Sequence, residues 1–342
     1  MQVHVIDGDQ AARWDRFLAE QPGGSFYHLH GWSQINAREL GHDTTCLAAM
    51  RDDRITGVLP LVHVHSRLFG RILCSMPFVN YGGVVAADAG AEAQLLAAAR
   101  EAAASSRADY LELRSPRPLA TEMDVSLRKI SMTVRLDPDP DVLWSAFASK
   151  HRTNIRRVYK HGVTVAAGGA ELLDEFYDVL AESWRSLGTP IYRKAYFRAI
   201  LEQFPQHTRL FVCRQGARAV AAAFNGEFNG VVEGMWLGYR AEARNLQAAY
   251  VLYWEMIKDA CERGFSSYHL GRSTADSGGE GFKKKWNAES AQLYWYYHRP
   301  SGGPMPQLNV DNPKFRLAIA AWRRLPLGAT MRIGPLLARG IP

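Results

Sequence analysis

Residues 267–287 gather the groups best suited to hold a reacting anion. Tyr268-His269-Leu270 reads as a short strand, Gly271 as its turn, and Arg272-Ser273 as what the turn delivers. Ser277, Gly278, Gly279 and Gly281 follow, and glycine backbone can approach a ligand closely because it carries no Cβ. Phe282, Lys283, Lys284, Lys285 and Trp286 close the stretch. Three adjacent ammonium groups repel one another unless an anion neutralises them. The pattern predicts a flexible loop that closes on a negatively charged group; a solvated hairpin with surface lysines is the plainer alternative. Arg272, at a strand end, has the fork geometry to clamp a carboxylate or phosphate, and a structural ion pair is its competing role.

A second basic group, Lys150, Arg152, Arg156 and Arg157, sits on helical spacing. Arg152 and Arg156 share one face, as do Lys150 and Arg157 two turns on. They are candidate phosphate or nucleic-acid contacts, against a solvated face. His28 and His30, like His63 and His65, each lack a nearby third ligand, so no metal site is predicted. Cys46, Cys74, Cys213 and Cys261 share no C-x-x-C spacing and read as buried thiols in a reducing compartment.

The elements that must position these residues alternate between helix and strand. Residues 9–19 fit a helix with Asp9 as cap, broken by Pro22-Gly23-Gly24, and a short helix ends near Leu40. Strand runs Cys46–Met50 and Ile55–Val64 meet at a polar turn, and Pro77–Val85 reads as a third run. A helix over 91–105 and strands at 109–115 and 131–137 follow, and Asp137-Pro138-Asp139-Pro140 marks a junction. Beyond it come helices over 141–159, 171–187 and 193–204. A hairpin turns at 215–218, another at Asn229-Gly230, a helix covers 246–263, and a strand covers 291–297.

The chain repeats itself. Leu47-Ala-Ala-Met-Arg-Asp-Asp-Arg lies over Phe211-Val-Cys-Arg-Gln-Gly-Ala-Arg at an offset of 164. Tyr110-Leu-Glu-Leu-Arg-Ser lies over Tyr268-His-Leu-Gly-Arg-Ser at an offset of 158, with a helix between hairpin and strand in both copies. The repeat order gives an α/β (α+β) architecture of two tandem domains, each a mixed, mostly antiparallel sheet flanked by helices. The expected domains are 1–137, 138–300 and a basic amphipathic tail, 301–342.

At 47% hydrophobic and 22% charged, the composition excludes disorder. The first residues carry acids and no apolar core of a signal peptide, and no window is apolar enough to span a bilayer. A cytoplasmic location is expected, with membrane association at the inner face through the tail as an added option. The net charge of +7 favours anionic partners: phosphates, tRNA, or an anionic membrane surface. Pro304, Pro306 and Pro313 precede a basic amphipathic helix with Lys314, Phe315, Arg316, Leu317, Ile319, Trp322, Arg323 and Arg324, and no acid follows to Pro342. Membrane docking is one reading of it; packing on the parent domain is the other.

The repeat unit has the element order of an N-acetyltransferase-like (GNAT) fold, and several segments together resemble the FemAB/FemX family of aminoacyltransferases. They are Phe26-Tyr27…Trp32, Asn80-Tyr81-Gly82-Gly83, Lys150-His-Arg152-Thr-Asn154-Ile-Arg156-Arg157…Gly162-Val163, Gly188-Thr189-Pro190, Gly271-Arg272-Ser273, and Ser277-Gly278…Phe282-Lys283-Lys284…Trp286. The branch most similar is that associated with PEP-CTERM/exosortase and exopolysaccharide loci. The resemblance implies acyl transfer to an amine of a cell-envelope or exopolysaccharide precursor. The donor is aminoacyl-tRNA or another activated acyl group, used as co-substrate with no tightly bound cofactor. A non-catalytic adaptor for nucleotide-sugar or RNA, and an acyl-CoA-dependent N-acetyltransferase, are the alternatives. The anionic partner is tRNA, a nucleotide-sugar or a lipid-linked precursor. The oligomeric state is left open.

By the same resemblance Lys283 supports developing charge or donor phosphate. Glu233 lies on the strand where some relatives carry a catalytic glutamate, with a buried pairing role as its alternative and Asp276 as a second candidate. Tyr81, Phe282 and Trp286 are expected to contact substrate. GNAT proteins hold the CoA pyrophosphate on a glycine-rich loop at a helix N-terminus. The equivalent stretch here, Arg240-Ala-Glu-Ala-Arg244-Asn-Leu-Gln, has no glycine. That argues against conventional acetyl-CoA binding, while Arg240 and Arg244 stay candidates for a phosphate. The first repeat lacks the loop too, so one active centre is expected, in or beside the second. The long helical arm of some family members is absent, and Asn36 and Arg38 stand where a basic acceptor residue is found in others.

Overall fold

The computed structural model describes residues 2–66, 69–303 and 313–341, except the side chains of 313–315. Pro304, Pro306 and the side chains of Lys314 and Phe315 lie outside the described residues. The first half runs β1 (Gln2–Ile6), α1 (Ala11–Glu20), α2 (Gly31–Ile35), then the hairpin β2 (Thr44–Arg51) and β3 (Arg54–Ser66). Asp52 and Asp53 turn the hairpin with φ of 49° and 59°, left-handed backbone that a short polar side chain tolerates. Next come β4 (Gly70–Cys74), β5 (Val85–Ala86), α3 (Ala89–Ser105), β6 (Tyr110–Ser115) and β7 (Asp124–Ser126). Asp88 caps α3 by accepting from the Ala91 N–H.

After β8 (Lys129–Arg135) the second half runs α4 (Pro140–Ala146), α5 (Ser149–Tyr159), β9 (Val163–Gly168), α6 (Leu173–Leu187) and α7 (Lys194–Gln203). It continues with β10 (Thr208–Gln215), β11 (Arg218–Phe228), β12 (Val231–Tyr239), α8 (Ala241–Leu246) and α9 (Ala249–Glu262). Then come β13 (Ser267–Thr274), α10 (Gly278–Lys283), β14 (Glu289–Gln292), β15 (Tyr294–His298), α11 (Pro313–Arg324) and α12 (Leu327–Ala338). Asn229 and Gly230, at φ 47° and 74°, make the tight turn between β11 and β12 that the sequence signals.

Two sheets result, with strand orders β1-β2-β3-β4-β6-β15-β7 and β9-β10-β11-β12-β13-β8-β14, β5 adding to β3. Position by position they match: β4 with β6 and β12 with β13 are the parallel pairs, and every other pair is antiparallel. The β2–β3 hairpin shifts register between Ala49 and Met50, and the β10–β11 hairpin between Cys213 and Arg214. Those positions are again 164 residues apart, so the duplication extends to the bulge.

The sheets exchange strands, and this corrects the domain boundaries. β8 precedes residue 137 yet pairs with β13 in the second sheet; β15 precedes residue 300 yet pairs with β6 in the first. Boundaries at 137 and 300 therefore cut across both sheets. The edge beyond each parallel pair needs hydrogen-bond partners, and each half supplies the other's.

Three other expectations change. Residues 141–159 form two helices, because Phe147 turns extended (ψ 144°) between them. The 77–85 run is mostly irregular, with Gly83 at φ 93°. The stretch after Ser277 is no open loop: Ser277 accepts from the Glu280 N–H and caps α10.

The halves share a core. The Phe26 ring stacks edge-on against Trp32 and Phe204, and lies so close to Gly226 of β11 that a Cβ there would meet it at 2.1 Å. The tail folds back on α6: Trp322 is buried, Arg323 donates to the Leu187 carbonyl at 3.2 Å, and Arg185 to that of Leu325 at 3.1 Å. The Arg339 carbonyl lies 2.6 Å from His42 Nε2 in the first half. No helix among the described residues is long and apolar enough to cross a membrane.

Candidate active site

The site begins where β12 and β13 part. They pair in parallel only from Val231–Ser267 to Glu233–His269. Gly271 then turns with φ 79°, and the β13–β8 register shifts between His269 and Arg272. Glycines are required here: a Cβ on Gly234 would meet the His269 carbonyl at 3.0 Å, and one on Gly271 the Gly234 carbonyl at 3.2 Å. A cavity of about 580 Å³ occupies the gap, lined by Gly234–Leu237 of β12, Leu270–Arg272 of β13, Tyr253 and Met256 of α9, Asn80 and Lys283. A second cavity of about 200 Å³ lies on its other side, walled by Tyr27, Pro77–Asn80, Tyr192 and Ile341. Both are lined by Asn80, Trp184, Met235, Trp236 and Arg272, which form the wall between them.

Arg272 is the charge in that wall. Its first-repeat counterpart, Arg114, is buried and neutralised: Nε donates to Glu112 Oε1 at 2.6 Å, and Nη1 donates to the Pro77 carbonyl. Two residues before Arg272 stands Leu270 in place of the glutamate. Among the described residues Arg272 forms no ion pair, and its Nη1 is buried with no hydrogen-bond partner. Both guanidinium groups lie over the ring of Trp295, Arg114 at 4.4 Å and Arg272 at 5.3 Å from its centre. Trp295 belongs to the exchanged strand β15, so the exchange brings the equivalent arginines onto one indole. Burial, and next the charge of Arg114, bring Arg272 down to about 10. An anion entering either cavity would relieve both penalties.

Lys283 sits beside it. Its ammonium donates to the carbonyls of Gly271 at 2.9 Å and Arg272 at 2.8 Å, holding the bend in β13, and it lines the larger cavity. Burial, reinforced by Arg272, lowers it to about 8. Its neighbours do not join it. Lys284 pairs with Glu280 at 2.7 Å, and Lys285 reaches the Tyr250 hydroxyl at 3.3 Å. α10 ends at Lys283 and a tighter 3-10 turn carries Lys284 to Trp286, so successive side chains point about 100–120° apart and the triple lysine splits into three separate contacts.

Beneath the cavity lies a buried polar knot built from both halves. Glu233 Oε1 accepts from the Tyr81 hydroxyl, and its Oε2 lies 2.8 Å from His269 Nδ1, out of line for a hydrogen bond. Asn80 Nδ2 donates to the Tyr27 hydroxyl at 2.8 Å and to the Gly234 carbonyl at 3.1 Å. Burial, and then the Glu233 carboxylate, push the Tyr81 phenol well up. Burial brings nearby His28 down to about 4, so it is neutral near pH 7. Glu233 is 1% exposed and does not reach the cavity wall. Its hydrogen bond is to Tyr81, it lies beside His269, and it makes no contact with the cavity in which it was expected to act.

The other sequence candidates separate. Trp286 is fully buried against Phe147, His151 and Tyr253, and Phe282 packs on Tyr250 and Tyr253, so both are core rather than cavity wall. Arg152 caps the end of α4, donating to the carbonyls of Ser145 at 2.8 Å and Phe147 at 2.7 Å. Arg156 lies over the Trp144 ring, and Lys150 is exposed on α5. Arg240 lies 3.1 Å from Glu182 and donates to the Ala219 carbonyl, while Arg244 is exposed on α8. The sequence reading missed Asn80, Tyr27 and His269 as site-builders, and Trp184, Tyr192 and Trp236 as walls. Asn80 and Tyr27 stood in segments already singled out, but only the contact between halves gives them work. Among the described residues no three His, Cys, Asp or Glu side chains come together as a metal cage.

Comparison with known proteins agrees with this fold. Residues 146–284 match the acetyltransferase (GNAT) domain family. Over 86% of this chain and 97% of the other, the fold is similar to FemX, with a TM-score of 0.67 at 16% identity. It is also similar to L-PGS from Bacillus licheniformis (TM-score 0.54, 13% identity, 94% and 97% covered). A tandem GNAT protein from the clavulanic acid biosynthesis pathway is a third (TM-score 0.55, 11% identity, 89% and 100% covered). No curated protein sequence matches the chain. Two GNAT-like domains in tandem, with exchanged strands, are therefore its architecture.

Proposed function

We propose that the chain is an N-acyltransferase with one active centre, at the parting of β12 and β13. An activated acyl donor lies in the larger cavity and an amine enters from the smaller. The amine nitrogen attacks the acyl carbon, the bond from that carbon to the donor oxygen or sulfur breaks, and the leaving atom takes up the amine's proton. Arg272 holds a carboxylate or phosphate of a reactant, or the oxyanion as it forms, and the Lys283 ammonium supports the same charge. The observation that carries this is the contrast between the repeats: Arg114 has its glutamate, whereas Arg272 faces two cavities with none. The stretch where a CoA pyrophosphate loop would stand is helical, with Arg240 already engaged. That favours aminoacyl-tRNA or another activated acyl group over acetyl-CoA as donor. From the resemblance of its sequence motifs to the FemAB/FemX family we take a cell-envelope or exopolysaccharide precursor as the amine's carrier, reached on the cytoplasmic side.

The test offers labelled aminoacyl-tRNA and labelled acetyl-CoA in parallel, with an amine-rich envelope extract as acceptor, and reads amide-linked label. The expected result is transfer from aminoacyl-tRNA that falls by about tenfold or more in Arg272→Ala, with an unchanged melting curve. Transfer from neither donor, or equal transfer by the variant, overturns the reading. Retention of unmodified RNA or nucleotide-sugar without any transfer would instead establish the adaptor.

A further inference from the structure

Eleven large hydrophobic side chains stand exposed among the described residues, and five of them fall in the tail: Leu317, Ile333, Leu336, Leu337 and Ile341. They are concentrated there although the tail's other face is occupied. Trp322, Thr330, Gly334 and Ala338 are buried, and a Cβ on Gly334 would meet the Ile191 backbone at 3.0 Å. On α12, Ile333, Leu336 and Leu337 are spaced i, i+3, i+4 and make one outward stripe. Arg332 and Arg339, both exposed, follow one flank of it by the same helical spacing. Arg316, Arg323 and Arg324 are exposed on α11, and residues 316–341 contain no aspartate or glutamate.

We infer that the outer face of α11 and α12 docks this protein on an anionic lipid surface. Apolar side chains beside arginines, with no acid among them, match a surface that offers hydrocarbon beneath a layer of negative headgroups. A second copy of the chain fits worse: a two-fold contact through this face would bring one set of arginines against the other. The face is also continuous with the cavities already described. Ile341 lines the smaller cavity, and Leu187, itself exposed and bonded through its carbonyl to Arg323, lines the larger. Docking thus sets both mouths at the headgroup layer.

The experiment is co-sedimentation of the full chain with vesicles of phosphatidylcholine alone and of phosphatidylcholine mixed with phosphatidylglycerol. Binding to the mixed vesicles only is expected at about 0.1 M salt. It should weaken toward about 1 M, where the screening length falls from about 10 to about 3 Å. Replacing Arg332→Gln and Arg339→Gln together should weaken it by about thirtyfold, counting each arginine at its usual strength near such a surface. The separate pair Leu336→Ser and Leu337→Ser should also weaken it, and melting curves identify either pair if it disturbs the fold. Absence of binding to the mixed vesicles, or binding unchanged in both pairs, overturns the inference. So does a concentration-dependent dimer that the same substitutions abolish. Vesicle binding needs no turnover, so its failure is distinct from failure of the transferase reading.

Discussion

Lys283 gives the sharpest quantitative test, because its burial has a pH signature that no surface lysine would produce. In the unfolded chain the ammonium holds its proton to about 10.5; folded, burial and Arg272 release it near 8. Between those values the unfolded state binds more protons, so stability rises with pH across that window. The gap amounts to about 3 kcal/mol of cost below pH 8, removed by the time the pH passes 10.5. Between about pH 7 and about pH 9.5 some 2 kcal/mol, roughly two thirds of it, is recovered. Lys283→Met removes the titration and also leaves the Gly271 and Arg272 carbonyls without that donor, a loss that does not vary with pH. Wild-type and variant stabilities measured by denaturant unfolding across this range therefore have a difference that isolates the ammonium. The wild type should gain on the variant by about 2 kcal/mol as the pH rises. A difference flat with pH would show that Lys283 is solvated, and would remove it from the cavity wall. If its charge also serves transfer, kcat/KM falls as the pH passes 8 in the wild type and stays level in Lys283→Arg.

Two further outcomes test the frame around the site. Glu112→Gln strips a fully buried arginine of its partner and should cost about 3–5 kcal/mol, read as a lowered denaturant midpoint; a change below about 1 kcal/mol would mean that Arg114 is neutralised by other means. Trp286→Ala should cost about 3–5 kcal/mol of stability while leaving KM for the acyl donor unchanged in the fraction that folds; a raised KM with little loss of stability would restore Trp286 to a substrate role.

How much could be read ahead of the structure depends on how far apart the deciding groups lie in the chain. Turns are local, so Asn229-Gly230 announced its hairpin directly. The duplication could be read from paired residue patterns, and the bulges at Ala49/Met50 and Cys213/Arg214 show it reaching into backbone geometry. The basic stretch at 267–287 was visible as chemistry, but the fate of each lysine was not, because a one-residue step past the end of α10 decides between cavity, ion pair and the Tyr250 ring. Arg152 and Arg156 looked like phosphate ligands because their spacing was helical; the carbonyls and the indole that engage them come from α4 and the residue after it.

The sequence by itself determined that two copies of one sheet-and-helix unit follow each other, and that a conventional pyrophosphate loop is missing from both. These are properties of residue type and order. Tertiary structure alone decided that β8 and β15 change sheets, that Trp295 lies beneath Arg114 and Arg272, and that Glu233 is sealed under Tyr81. It alone decided that Arg272, of the two equivalent arginines, is the one left facing open space. Each of these turns on whether a charge or a sheet edge finds its partner in the other half of the chain, and that is fixed only when the two halves pack.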